Sequence, residues 1–165
     1  MSSETNSFQA ATDYDAWFDS PLGVACLTSE TRLLASAGGE LAGKSVVEIG
    51  CGTGRFLFAF TGAAGLAVGI DRDSAMLQVA RQKAPPYSTA RSFWLQGDVG
   101  AIPIVNDSFD LVFENTVLCS CPDPVPVLQE MVRVCKPGGT VLLGELNASA
   151  PWQLWRRLKA RVGLG

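Results

Sequence analysis

"SVVEIGCGTGRF", residues 45–56, decides how the rest of the chain is read. A short β-branched run, Ser45–Ile49, enters Gly50-Cys51-Gly52-Thr53-Gly54 and leaves into a stretch of helical character. A strand that ends in a glycine turn ahead of a helix lets backbone approach a nucleotide closely. The spacing departs from the dinucleotide fingerprint G-x-G-x-x-G, because the sixth place counted from Gly50 is Arg55. Glu48, just ahead of the turn, argues the same way. A carboxylate repels a pyrophosphate and attracts an ammonium or sulfonium.

Two further acids stand at corresponding places. Asp71, in "GIDRD", follows Gly50 by 21 positions and ends the second apolar run, where an acid meets the hydroxyls of a ribose. Asp98, in "QGDV", follows the third run. Three carboxylates at successive strand ends suit a cationic nucleoside better than an anionic dinucleotide. Asp71 and Asp98 also have a plain structural reading as helix caps.

Around these landmarks strands and helices alternate. "SVVEI", "GLAVGI", "SFWLQ", "FDLVFE" and "GTVLLGEL" read as strands. "GRFLFAFTG", "RDSAMLQVARQKA", "PVPVLQEMVRVC" and "PWQLWRRLKARVG" read as helices. Alternation at this spacing predicts βαβ units, and so an α/β, doubly wound, mostly parallel sheet with ligands at the carboxyl ends of its strands. Ser20 and Pro21 predict an N-cap and first helical position for a helix ending at Gly38-Gly39. A shorter helix capped by Thr12 or Asp13 is expected before it. Residues 1–11 are expected to form a frayed, flexible N-terminus, and 12–165 a single domain. "KPGG" at 136–139 reads as a helix stop and tight turn, and "APPYS" at 84–88 as a loop.

Composition bounds the function. With 47% hydrophobic and 18% charged residues the chain is a compact folding sequence, and its formal charge of −3 argues against general nucleic-acid binding. Five cysteines without a CxxC pair suggest neither a disulfide framework nor a metal site. No signal-peptide pattern or membrane-length apolar run occurs, so a cytoplasmic protein is expected.

The stretches "VVEIGCGTGRF", "GIDRDSAML", "GDVGAIPIVNDSFDLVF" and "LQEMVRVCKPGGTVLLGEL", in this order and spacing, resemble the class I S-adenosylmethionine-dependent methyltransferases, of the small-molecule type that includes the quinone-biosynthesis enzymes. The resemblance covers roughly residues 12–162 and implies a Rossmann-like sheet of strand order 3-2-1-4-5. It also implies S-adenosyl-L-methionine as cofactor and a small, lipophilic methyl acceptor. Carried over position by position, Glu48 engages the amino group of the methionine part, and Gly50, Cys51, Gly52 and Gly54 form the turn beneath it. Asp71 holds the ribose hydroxyls, Arg72 and Met76 flank the adenine, and Asp98 and Val99 address its edge. Glu114 and Asn115 face the sulfonium and the acceptor. Tyr14 and Trp17 belong to an N-terminal segment folding over the cofactor, or alternatively form the apolar face of a helix packed on the sheet.

Methyl transfer is an in-line displacement in which positioning supplies much of the rate, and no catalytic residue is assigned. The chain has no histidine, so an acceptor that ionises readily is favoured; otherwise Glu114, Glu145 or a group of the substrate has to serve as base. The family pattern also continues past the fifth strand into a helix and then a hairpin that supplies the sixth and seventh strands, and residues 1–165 are expected to lack that hairpin. An open fifth-strand edge is therefore expected to pair with a second copy or a partner chain. The segment 151–162, with Trp152, Trp155, Leu158 and Val162 at helical spacing beside four basic residues, is expected to pack within the protein, with a second subunit or an anionic membrane surface as the lesser alternatives. Two other readings stay open: a truncated, weak or inactive protein acting through a partner, and a nicotinamide-dependent oxidoreductase.

Overall fold

A computed structural model describes residues 2–83 and 91–147. "APPYS" and the expected helix at 151–163 lie outside them. Two helices lead the chain, α1 (Ser2–Trp17) and α2 (Pro21–Gly38). The alternating part follows as β1 (Ser45–Ile49), α3 (Arg55–Phe60), β2 (Leu66–Asp71), α4 (Ser74–Lys83), β3 (Arg91–Gln96), β4 (Phe109–Asn115), α5 (Val125–Val134) and β5 (Cys135–Gly144). Every strand pair is parallel and the order is β3-β2-β1-β4-β5, the doubly wound arrangement that the alternation predicts.

Parallel strands covered on both faces must be apolar on both, and β1 meets this with Val46, Val47 and Ile49 all inaccessible to solvent. Val47 and Ile49 join Val68, Ile70 and Val112 against Val127, Met131 and Val134 of α5. Val46 joins Ala67, Leu111 and Phe113 against Leu34 of α2 and Leu57 and Phe60 of α3. Each fully buried aliphatic side chain contributes about 1.5–3 kcal/mol, so these two layers carry most of the fold's stability.

The caps of α2 fall where the sequence puts them. Ser20 Oγ accepts the Gly23 N–H at 3.1 Å, Pro21 opens the helix, and Gly39 closes it at φ +68°. The first helix differs from expectation. Residues 2–11, expected as a frayed terminus, begin α1, and Thr12 sits inside the helix with its hydroxyl donating to the Phe8 carbonyl at 2.9 Å. Packing explains it: Ala11 is buried with Ala75 and Val79 of α4, with Phe8 and Met76 laid against them. "KPGG" differs as well. Instead of a turn ahead of the last strand, residues 136–139 form a bulge within β5, between the pairs Phe109↔Cys135 and Leu111↔Thr140, with Gly138 at φ +77°.

Register sets the site. Ile49 pairs with Ile70 and Glu114, Asp71 with Gln96, and Asn115 with Gly144, so the strands end level with one another. The order reverses between β1 and β4, and ligands bind at such a switch point.

Candidate active site

Three successive left-handed glycines build the turn after β1: Gly50 at φ +67°, Gly52 at +51° and Gly54 at +75°. Side chains rarely tolerate this region, which accounts for the glycine spacing. Asp71 fastens the turn. Its Oδ2 accepts the Gly52 N–H at 2.7 Å, and its Oδ1 accepts the Asp73 N–H at 2.9 Å. The Cys51 N–H continues the β1–β2 ladder to the Ile70 carbonyl at 2.9 Å. Its buried thiol is raised well above the usual range by burial and the neighbouring Glu48 and Asp71 charges, so it is a wall group and no nucleophile.

Gly50, Asp71, Arg72, Asp98 and Val99 line one cleft of about 540 Å³ at the switch point, closed on the β4 side by Val117. That size accommodates a nucleoside. Asp98 caps its own turn there, Oδ1 accepting the Gly100 N–H at 2.8 Å. Tyr14 reaches the opposite side of the turn, its ring 3.8 Å from where a Gly52 Cβ would stand. Partial burial, then the charges of Glu48 and Asp71, raise its phenol. Met76 packs into the α1–α4 cluster, and Gly54 lies against Trp94.

Glu48 is 2% exposed, and its Oε2 has no hydrogen-bond partner. Burial first, then repulsion from Asp71 and Glu114, raises this carboxyl well above the usual range. A buried acid with an unanswered oxygen beside another carboxylate is a site in want of a cation. The residues present therefore fit a sulfonium nucleoside bearing an ammonium group. Glu114 is fully buried, and both its oxygens are engaged. Oε2 accepts the Val117 N–H at 2.9 Å and Oε1 the Gly144 N–H at 3.1 Å, which ties the loop after β4 to the end of β5.

A second cavity of about 420 Å³ lies between α2 and the ends of β4 and β5, walled by Leu33, Leu34, Leu142 and Leu146 with Glu30 and Asn115 at its polar part. Asn115 Nδ2 donates to Glu30 Oε2 at 2.7 Å. Thr116 borders both cavities and holds φ +63°, a strained conformation for a β-branched residue of the kind found at functional sites. Neither Glu30 nor Thr116 was legible in the sequence, since no motif spacing marks them.

The sheet order and the acids around its switch point define a Rossmann-like methyltransferase core. The chain belongs to the family described as "Methyltransferase domain", whose model matches residues 47–143. It is 36% identical over 112 residues to the demethylmenaquinone methyltransferase of Lactococcus lactis subsp. lactis, covering 66% of this chain and 44% of that protein. A SAM-dependent methyltransferase from Thermotoga maritima superposes with a TM-score of 0.74 at 24% identity, over 95% of this chain and 68% of that one. The complex of the Haloferax volcanii Trm112 methyltransferase activator with a methyltransferase matches with a TM-score of 0.62 at 30% identity, over 78% and 56%. The chain spans about half the length of the curated relatives it matches. Among the described residues no helix is long and apolar enough to cross a membrane.

Proposed function

We propose that the chain transfers a methyl group from S-adenosyl-L-methionine to a small, largely apolar acceptor. The observation that carries this is the unpartnered, buried Glu48 Oε2 beside the Asp71-fastened glycine turn. When bound, the cofactor supplies an activated methyl on a positively charged sulfur. Glu48 and Asp71 orient the two ends of that molecule around the turn, and Asp98 and Val99 fix the base. The leucine-walled cavity bordered by Thr116 holds the acceptor with its polar part toward Glu30 and Asn115.

Glu114 serves the fold first: its two oxygens accept the Val117 and Gly144 N–H groups. An acceptor that ionises readily, such as an enol or an acidic phenol, matches a site without histidine. The resemblance to demethylmenaquinone methyltransferase supports an acceptor of that chemistry.

Calorimetric titration with S-adenosylmethionine, S-adenosylhomocysteine and NAD tests the reading. Micromolar binding of the first two and none of NAD is expected. The reverse preference would overturn it.

A second reading concerns assembly. Among the described residues β5 is an edge strand, and Leu143 on it is 52% exposed. Such an edge supports pairing with another strand, from a second copy, a partner chain or further sequence of a longer protein. Light scattering that gives the monomer mass at high concentration would remove the second-copy version.

A further inference from the structure

Arg55 takes the first position of α3, directly after Gly54, where a dinucleotide fingerprint would carry its third glycine. Its guanidinium is engaged across the gap to α1. Nε donates to Asp15 Oδ1 at 2.9 Å, and Nη2 donates to Asp15 Oδ2 at 2.8 Å and to the Asp15 carbonyl at 3.0 Å. Nη1 and Nη2 reach Asp19 Oδ1 and Oδ2 at 2.8 and 3.1 Å. Lys83, at the end of α4, closes on the same Asp15 carboxylate. Asp15 is 7% exposed although charged. Burial alone would raise its carboxyl, but the bonds from Arg55 and Lys83 outweigh this and lower it. Planar, bidentate pairing of this kind fixes direction as well as distance.

What the pair fixes is the end of α1. Tyr14 precedes Asp15, with its ring over Gly52 and its hydroxyl in the field of Glu48 and Asp71. Phe18 lies beneath the guanidinium carbon at 5.9 Å and meets Tyr14, Trp17 and Phe56 edge-on at 5.5, 5.0 and 5.9 Å. Tyr14 and Trp17 themselves remain 49% and 44% exposed, so burial of their own rings holds them weakly. The ionic clamp and Phe18 do the holding.

We propose that Arg55 is a positioning residue for cofactor binding. Through Asp15 and Asp19 it locks α1 so that Tyr14 covers the glycine turn and slows escape of a ligand seated there. Because Arg55 is bonded to the turn's last glycine, a ligand that settles the turn also settles the clamp, and closure and occupancy reinforce one another. This rests on the S-adenosylmethionine reading.

The test uses S-adenosylhomocysteine as probe, with affinity and dissociation rate measured for the wild type, R55Q, R55K, Y14A and R55Q/Y14A. Amide exchange across residues 8–19 is followed in parallel. R55Q is expected to bind at least tenfold more weakly, chiefly through faster dissociation, and to exchange faster in 8–19 while β1 and β4 keep their protection. R55K, which retains the charge but not the fork, falls between. Adding R55Q to Y14A should cost less than twofold, since the arginine acts through the tyrosine. Should R55Q prove too unstable, D19N, which removes only the exposed half of the clamp, replaces it with a smaller loss of the same sign. Unchanged affinity in R55Q or D19N, or fully additive losses in the double variant, would overturn the inference and leave the cofactor reading standing. Failure of the wild type to bind the probe would overturn both.

Discussion

Asp71 accepts the Gly52 backbone N–H at 2.7 Å, so the acid at the end of β2 also shapes the turn at the end of β1. Its other oxygen holds the Asp73 N–H, and an ionised carboxylate has about four acceptor sites, which leaves room for two ribose hydroxyls. One side chain thus prepares the pocket and contacts the ligand. Asp71→Ala is expected to weaken S-adenosylhomocysteine binding at least tenfold, about 1.4 kcal/mol, and also to cost about 1–3 kcal/mol of stability through the unpaired Gly52 N–H. Titration calorimetry and urea denaturation read the two separately. A loss of stability with affinity intact would show that Asp71 serves the turn alone.

Glu48 makes a pH-dependent prediction. Its folded-state value lies well above that of an unfolded carboxylate, chiefly through burial. Between the two values the folded protein holds a proton that the unfolded chain releases, so this group's contribution to stability falls as pH rises through that window. Glu48→Gln removes the dependence and is expected to raise the melting temperature relative to wild type as pH climbs. A cationic ligand favours the ionised form, so binding to wild type in the same window should expel a proton, and binding to the glutamine variant should not. Titrations in buffers of different ionisation enthalpy count that proton. Equal enthalpies across buffers for wild type would contradict the assignment of Glu48 to the cationic end.

How far the sequence could be read follows from where the determining contacts lie. Ser45–Ile49 and Pro21–Gly38 were legible because β-branched runs and Ser-Pro caps act within a few residues. The placement of Glu48, Asp71 and Asp98 near strand ends followed from the same local signals. The helix around Phe8 and Ala11 did not, because those residues pack on Ala75 and Val79 of α4. "KPGG" misled for a similar reason: whether a glycine pair ends a strand or bulges within one depends on what the neighbouring strand offers. Here Lys136 bonds Asp110 of β4 and Cys135 pairs with Phe109, so pairing starts before the glycines. Glu114 looked available from its position, yet its partners are backbone N–H groups, which carry no sequence signature. The Arg55–Asp15 pair spans 40 residues and has none either.

Gly50 is held by two separate constraints, and they can be measured apart. A Cβ there would sit 2.5 Å from Val117 Cγ2, and the backbone is at φ +67°. Gly50→Ala is expected to cost about 1–2 kcal/mol for the left-handed backbone and a further 1–3 kcal/mol, roughly, for the clash. Adding Val117→Ala makes room for the new methyl and should return the clash component only. If the double variant is no better than the sum of its single variants, the close approach of these two residues is not what excludes a side chain.

The last prediction concerns the end of the sheet away from the site. Asp110 Oδ2 accepts the Ser45 N–H at 2.8 Å and the Ser45 hydroxyl at 2.7 Å, while Oδ1 meets Lys136 Nζ at 2.9 Å. The Ser45 bonds, with Lys136, hold this carboxyl far below the usual range. A depressed acid contributes its stability above the unfolded value, and that contribution is lost as pH falls toward the folded one. The group is a third exposed, so solvent screening keeps the worth of the cluster to about 1 kcal/mol. Asp110→Asn should therefore unfold more readily than wild type at neutral pH, with the gap closing below roughly pH 4. Its affinity for S-adenosylhomocysteine should match wild type, because Ser45 and Asp110 lie at the opening of β1 and β4 and the cleft lies at their far ends. Denaturant titrations at several pH values, with one binding isotherm, check both halves. A gap that persists at low pH would mean that the carboxylate's charge is not what the cluster uses.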